Sequence, residues 1–173
     1  MSAAPAAVTI AADHWLPAYV GLGSNLSEPA RQVELAVAAL ARLPGTLLIA
    51  VSPRYRTRPL GSVVQPAFVN AVAGLLTVRS PEQLLADLRA IEIGMGREPS
   101  RERWSPRVID LDLLAVGRES RATETLTLPH TGIAERDFVL YPLADIAPDL
   151  DLPGLGSVRN LRARVVNRGV EKL

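Results

Sequence analysis

The chain contains no cysteine, which excludes disulfides, thiolate catalysis and cysteine-based zinc sites. That is compatible with the cytoplasm, where the protein is expected to reside. It contains one lysine, Lys172, beside the C-terminal residue. A P-loop needs a lysine directly after its glycine turn, and a protein kinase needs one on a strand, so neither plan is available. Any phosphate must be held by arginine, backbone amides or a metal. The two histidines, His14 and His130, are too few for a multi-histidine metal centre. Aromatic residues make up 4%, which leaves no evident base-stacking platform, and a net charge of +1 gives no bulk attraction for nucleic acid. No apolar run is long enough to span a bilayer. Neither a nucleic-acid nor a membrane partner is expected.

What is present suits one compact domain, with 173 residues of which 48% are hydrophobic. Residues 1–16 are Ala-rich, lack a basic n-region and are interrupted by Asp13 and His14. They read as a flexible tail rather than a signal peptide, ahead of a single domain over 17–173. Pro17 to Gly23 reads as a first strand, ending in Gly21-Leu22-Gly23. Leu26 stands where a dinucleotide fingerprint needs its third glycine. Ser27 and Pro29 predict a helix start, Val33, Ala36, Val37 and Leu40 its stripe, and Pro44-Gly45 its end. Thr46 to Val51 and Phe68 to Val78 read as strands, separated by a long connection from Arg54 to Pro66. Ser80-Pro81-Glu82-Gln83 is a capping-box helix start, and Gly94 and Gly96 stop that helix. A strand follows around Asp110, then a turn at Gly117, a short strand over 123–128 and a third helix within 133–144. The segment after Pro148 is rich in Pro, Gly and then Arg. The order β-α-β-β-α-β predicts an α+β fold with a ferredoxin-like sheet, helices on one face and C-terminal additions.

Within Val108-Ile109-Asp110-Leu111-Asp112-Leu113-Leu114, two carboxylates interrupt an apolar strand. Alternation places Asp110 and Asp112 on one face, roughly 6–7 Å apart, together with Val108, Leu114 and Val116. Ile109, Leu111, Leu113 and Ala115 take the other face. Bare carboxylates in a strand buried on both faces are costly, so cations must neutralise them: hard divalent ions or arginines. The competing reading is an edge strand whose polar face meets water.

Arg97, Arg101, Arg103 and Arg107 precede this strand and form a loop of guanidinium groups suited to bidentate phosphate contacts. Beside two metal-ready carboxylates they supply what a polyphosphate site needs. The competing reading is a solvated loop paired with Glu98 and Glu102. Trp104 either packs over a ligand when the loop closes or anchors the loop. His130, after Pro129 and before Arg136, can contact phosphate or be structural. Thr57, Asn70 and the only phenylalanines, Phe68 and Phe138, can hold a flat heterocycle with hydrogen-bonding edges, or belong to the core.

Together these pieces resemble the 6-hydroxymethyl-7,8-dihydropterin pyrophosphokinase family. The matching residues are Gly21 to Leu26, Tyr55-Arg56-Thr57 with Pro59-Leu60-Gly61, and Gln65-Pro66 through Asn70. Then come Glu92, Gly96-Arg97, Arg103-Trp104, Pro106-Arg107, Asp110-Leu111-Asp112, Pro129-His130 and Arg136 with Phe138. The resemblance implies a ferredoxin-like α+β fold and Mg-dependent transfer of pyrophosphate from ATP to the pterin alcohol, leaving AMP. It implies ATP as co-substrate and two magnesium ions on Asp110 and Asp112. It also implies Arg97 and Arg107 on the transferring phosphates. Glu92, Trp104, Thr127, His130 and Arg136 join Arg97 and Arg107 on the nucleotide side. Thr57, Arg58, Leu60, Phe68, Asn70, Trp104 and Phe138 would bind pterin, with Phe68 and Phe138 sandwiching the ring. A monomer acting on small molecules is expected. Ser105 stands where the family usually has glycine, Pro99 replaces a basic residue of some members, and Thr125 and Thr131 fall where others carry Arg and Tyr. The rival readings are a non-catalytic ferredoxin-like binding module and a metal-dependent phosphohydrolase.

Overall fold

The computed structural model describes residues 14–59, 64–97 and 105–173. It is a mixed α/β structure built on an antiparallel sheet. In chain order the elements are β1 (Leu16–Ser24), α1 (Pro29–Leu40), β2 (Thr46–Val51), β3 (Tyr55–Thr57), β4 (Phe68–Thr77) and α2 (Pro81–Gly94). They continue with β5 (Asp110–Val116), β6 (Arg121–Ala122), β7 (Thr127–Leu128), a 3-10 turn (Ile133–Glu135) and α3 (Asp137–Ile146). Last come β8 (Asp151–Leu152), β9 (Gly156–Ser157), α4 (Val158–Arg164) and β10 (Glu171–Lys172).

The main sheet runs β10-β3-β4-β1-β5, all antiparallel. β1 fills one edge of β4 from Val69 to Thr77. β2 and β3 therefore share the other edge end to end, β2 against residues 73–77 and β3 against 68–70. β3 lies inside the stretch expected to be a plain connection; three residues are too short to show a strand period.

α1 and α2 pack on one face of the sheet, over Val20, Leu22, Ala73, Leu75, Leu111 and Leu113. The capping box of α2 forms as its sequence predicts: Ser80 Oγ accepts from the Gln83 amide at 3.2 Å, and Gln83 Oε1 accepts from the Ser80 amide at 3.0 Å. Ser27 does not cap α1. Ser27 and Glu28 both have positive φ, turning the chain away from β1 so that Glu28 occupies the cap position and no side chain bonds there.

The additions expected after the sheet cover its other face. α3 packs on the opposite face against β4, and α4 packs on α3. Val72, Leu114, Ala115, Leu140, Leu143, Val158 and Leu161 form this second core. α4 hides in the Pro- and Gly-rich stretch because seven residues hold too few turns to display a periodic stripe. The stretch 123–128 is also not one strand. The Thr123 hydroxyl and amide both bond the Leu126 carbonyl at 3.0 Å, folding it into the turn of a β6–β7 hairpin.

The alternation expected along β5 holds only as far as Leu114. Val20 pairs with Leu113 and Tyr19 with Ala115, leaving Leu114 as a bulge. Beyond it the faces exchange: Ala115 joins the second core and Val116 the first. Among the described residues no helix is long and apolar enough to cross a membrane.

Candidate active site

Three strands make the floor of a cleft. Gly23 sits between Asp110 on β5 and Asn70 on β4, and Gly21 between Asp112 and Val72. Directly opposed residues share a face, so the two carboxylates look across a glycine floor at Asn70. A Cβ on Gly23 would meet Asn70 Oδ1 at 2.8 Å, so any side chain there would push that amide aside. The G-x-G step is therefore a spacer matched to the D-x-D step of the next strand, a use that its sequence reading missed. The signal was there, since both motifs have the period of a strand.

The cleft holds about 250 Å³ and gathers most of the sequence-predicted residues. Thr57, Arg58, Phe68, Asn70, Arg107, Asp110, Asp112, His130, Arg136 and Phe138 all line it, as does Ser105. Leu60 and Trp104 lie outside the described residues, as do Pro99, Arg101 and Arg103. Asn70 Nδ2 donates to Thr57 Oγ1 at 2.7 Å, which fixes the direction of the amide. Asn25, to which the sequence reading gave no role, is buried behind the cleft. Its Oδ1 accepts from the Arg107 amide at 2.8 Å, and its Nδ2 donates to Gln65 Oε1 at 2.9 Å and the Pro66 carbonyl at 3.1 Å. It ties the Arg107 backbone to the segment before Phe68.

The two carboxylates sit in different company. Asp110 Oδ1 is held by Arg97 Nη1 at 2.7 Å and by Arg107 Nη1 at 2.9 Å. Arg97 also contacts Glu92, whose Oε1 accepts from the Leu111 amide at 2.6 Å on the outer edge of β5. Burial pushes the Glu92 carboxyl above its ordinary range, against the Leu111 bond and Arg97. Glu92 thus anchors Arg97 and the strand instead of lining the cleft. Asp112 has looser partners, His130 Nε2 at 3.8 Å and Arg136 Nη1 at 3.6 Å. Desolvation, and then the neighbouring Asp110 charge, push its carboxyl up. Desolvation lowers His130 in turn. The Gly132 amide donates to His130 Nδ1 at 3.2 Å, so the neutral ring carries its proton on Nε2, toward Asp112.

β5 ends the sheet, yet its acidic face does not simply meet water. Residues 105–107 and 130–138 wall it in, leaving Asp110 28% and Asp112 34% exposed at the side chain. Among the described residues no group of three or more His, Cys, Asp or Glu gathers as a closed metal cage. Two carboxylates facing an open cleft fit a hard cation that keeps water and substrate oxygens as its other ligands, as Mg²⁺ does. A second cleft of about 240 Å³ adjoins the first and contains Thr127 with Glu124, Thr125 and Thr131. Asp112 and His130 line both clefts.

Residues 19–148 match the family described as 7,8-dihydro-6-hydroxymethylpterin-pyrophosphokinase (HPPK). The chain belongs to the HPPK family. A Pseudomonas aeruginosa protein named 2-amino-4-hydroxy-6-hydroxymethyldihydropteridine pyrophosphokinase is 48% identical over 155 residues, covering 90% of this chain and 95% of that protein. A Haemophilus influenzae protein of the same name is 41% identical over 158 residues, covering 91% and 98%. Among solved structures, that of wild-type Plasmodium falciparum HPPK-DHPS with pteroate shares the fold at TM-score 0.71 and 15% identity. It covers 87% of this chain and 42% of that longer one. Three departures of this HPPK-family chain noted in its sequence fall at the two clefts: Ser105 lines the first, and Thr125 and Thr131 line the second.

Proposed function

We propose that this chain transfers the terminal pyrophosphate of ATP to 6-hydroxymethyl-7,8-dihydropterin, giving AMP and the pterin diphosphate, in folate biosynthesis. The observation that carries this reading is the place of Asp112, on the boundary between two clefts of different chemistry. The first offers Phe68 and Phe138 faces with the Asn70 amide and Thr57 hydroxyl, which suits a flat ring with hydrogen-bonding edges. The second, beyond His130, suits the nucleotide, with Thr127 on its wall. The hydroxymethyl oxygen and the β-phosphorus then meet above Asp110 and Asp112.

Asp110 and Asp112 would hold two Mg²⁺ ions, which neutralise phosphate oxygens and lower the pKa of the bound hydroxyl when present. The hydroxymethyl oxygen attacks the β-phosphorus, and the bond from that phosphorus to the α,β-bridging oxygen breaks, with its electron pair leaving on AMP. Asp112, on the wall shared by both clefts, is the carboxylate placed to accept the hydroxyl proton. Arg97 and Arg107, which pair with Asp110, would stabilise the transferring phosphates, and His130 and Arg136 would hold the nucleotide side. Such transfer needs alignment, charge neutralisation and water exclusion more than covalent help. Leu60 and Trp104 are assigned to the pterin side, and Trp104 and Glu92 to the nucleotide side, on the resemblance; Glu92 acts through Arg97.

The strand order β5-β1-β4-β2 with crossovers α1 and α2 supports a ferredoxin-like arrangement, extended by the second layer. We read 17–173 as one domain, because both layers share a single sheet, and the enzyme as a cytoplasmic monomer acting on small molecules.

Incubation with ATP, Mg²⁺ and the pterin alcohol, followed by identification of the nucleotide product, tests the function. AMP formed only with pterin is the expected result. ADP or phosphate formed without pterin would identify a phosphohydrolase, and no turnover a binding module.

A further inference from the structure

The C-terminal residues 167–173 carry none of the chemistry above, yet they touch both walls of the first cleft. One wall begins at Asp137, which stands between Arg136 and Phe138 and is 2% exposed. Asp137 Oδ1 accepts from the Phe138 amide at 2.9 Å, and its Oδ2 accepts from the Arg168 amide at 2.6 Å. The Arg168 guanidinium donates to the Glu135 carbonyl at 3.1 Å. The other wall is the end of β3. Gly169, at φ +100°, lies against the Arg58 side chain, and a Cβ there would come within 3.3 Å of Arg58 Nε. Glu171 and Lys172 then pair with Arg56 and Tyr55, and the Leu173 amide donates to the Arg54 carbonyl at 2.9 Å. Lys172 Nζ reaches Asp145 Oδ2 at 3.4 Å, the same oxygen that accepts from the Tyr55 hydroxyl at 2.5 Å. Between these anchors Asn167 Oδ1 accepts from the Gly169 and Val170 amides at 2.7 and 2.8 Å, which stiffens the segment.

We propose that residues 167–173 form a strap that sets the spacing of the two pterin-binding walls, with Asp137 as the positioning residue that couples the strap to Arg136 and Phe138. The inference rests on the pterin reading of the first cleft. A flat ring held between Phe68 and Phe138 and read by Asn70 and Thr57 tolerates wall displacements of only about 0.5 Å. Phe138 and Thr57 stand on different elements, α3 and β3. The strap is bonded to the first turn of one and forms a ladder with the other. An aspartate is required at 137 because both of its oxygens accept from backbone amides; asparagine keeps only one acceptor.

Steady-state kinetics of Asp137→Asn and Gly169→Ala, each substrate varied with the other saturating, test this. Each variant is expected to raise the KM for pterin by about tenfold and to leave the KM for ATP within about twofold. The double variant is expected to fall short of the product of the two effects, because both act through one strap. A strap that only closes the second core would lower the melting temperature with the pterin KM unchanged, and that result overturns the proposal. Should Asp137→Asn fail to fold, Lys172→Ala probes the other anchor, where the side chain is 54% exposed. A rise of about threefold in pterin KM supports the strap, and no rise overturns it. A wild-type enzyme that forms no AMP removes the function reading and this inference with it. An active wild type with variants of unchanged pterin KM removes this inference alone.

Discussion

The two faces of the sheet are built from the same strands and are covered to different extents. α1 and α2 close the first face over an apolar core that reaches the Leu22 and Leu111 end of β1 and β5. On the second face α3 covers the Tyr19 and Gly74 end, where a Cβ on Gly74 would meet Ile146 at 3.6 Å. The other end, where Asp110, Asp112, Gly21, Gly23 and Asn70 lie, stays open as a cleft. Asn70, Asp110 and Asp112 thus fall where the second layer stops. A half-covered sheet supplies rigid backbone beneath a solvent-accessible floor, which is what a site of fixed geometry requires.

The largest effect that can break this comparison is at the floor. Asp112→Ala is expected to abolish turnover, and Asp110→Ala to lower it by at least about a thousandfold, with both variants keeping their melting temperature within a few degrees. Near-normal rates in either would end the metal assignment. On the covered face, Leu88→Ala is expected to cost about 2–5 kcal/mol in urea unfolding and to leave both KM values alone, because Leu88 is wholly buried on the sheet-facing side of α2. A changed pterin KM there would erase the division between the faces. Arg97→Ala is expected to lower kcat by about a hundredfold while the affinity for ATP falls only a few-fold, since its charge acts on the moving phosphates. An effect confined to affinity would contradict that role.

The smallest effect concerns pH. Burial raises the folded-state pKa of Glu92, so the folded chain holds that proton more tightly than the unfolded chain. Its contribution to stability is full below the ordinary glutamate value and is lost as pH rises through the folded value. Melting temperature recorded between about pH 4 and 7 should show this slope in the wild type and a flatter one in Glu92→Gln. Equal slopes would show that Glu92 does not carry it.

Particular residues show how far the chain could be read before folding. The capping box at Ser80 and the D-x-D strand were legible because each is local: the first depends on residues three apart, the second on a period of two. Most of the predicted cleft residues do line one cavity; residue type marked some of them and the family resemblance the rest, Arg58 among them. Asn25 and Asp137 were illegible because their partners, Arg107, Gln65 and Arg168, are distant in sequence. The exchange of faces after Leu114 was hidden for a different reason. A bulge is a property of a strand pair, and nothing within β5 alone announces it.

Local chemistry therefore decided the inventory: arginines with almost no lysine, two carboxylates on one strand face, two phenylalanine rings and an asparagine amide. Folding decided the arrangement: a glycine floor set between acid and amide, a second helical layer that stops short, and a C-terminal strap joining both walls. The physical reason is range. Side-chain alternation and capping act over a few residues, whereas the register of β1 between β4 and β5, and the packing of α3 over them, exist only once distant segments have met.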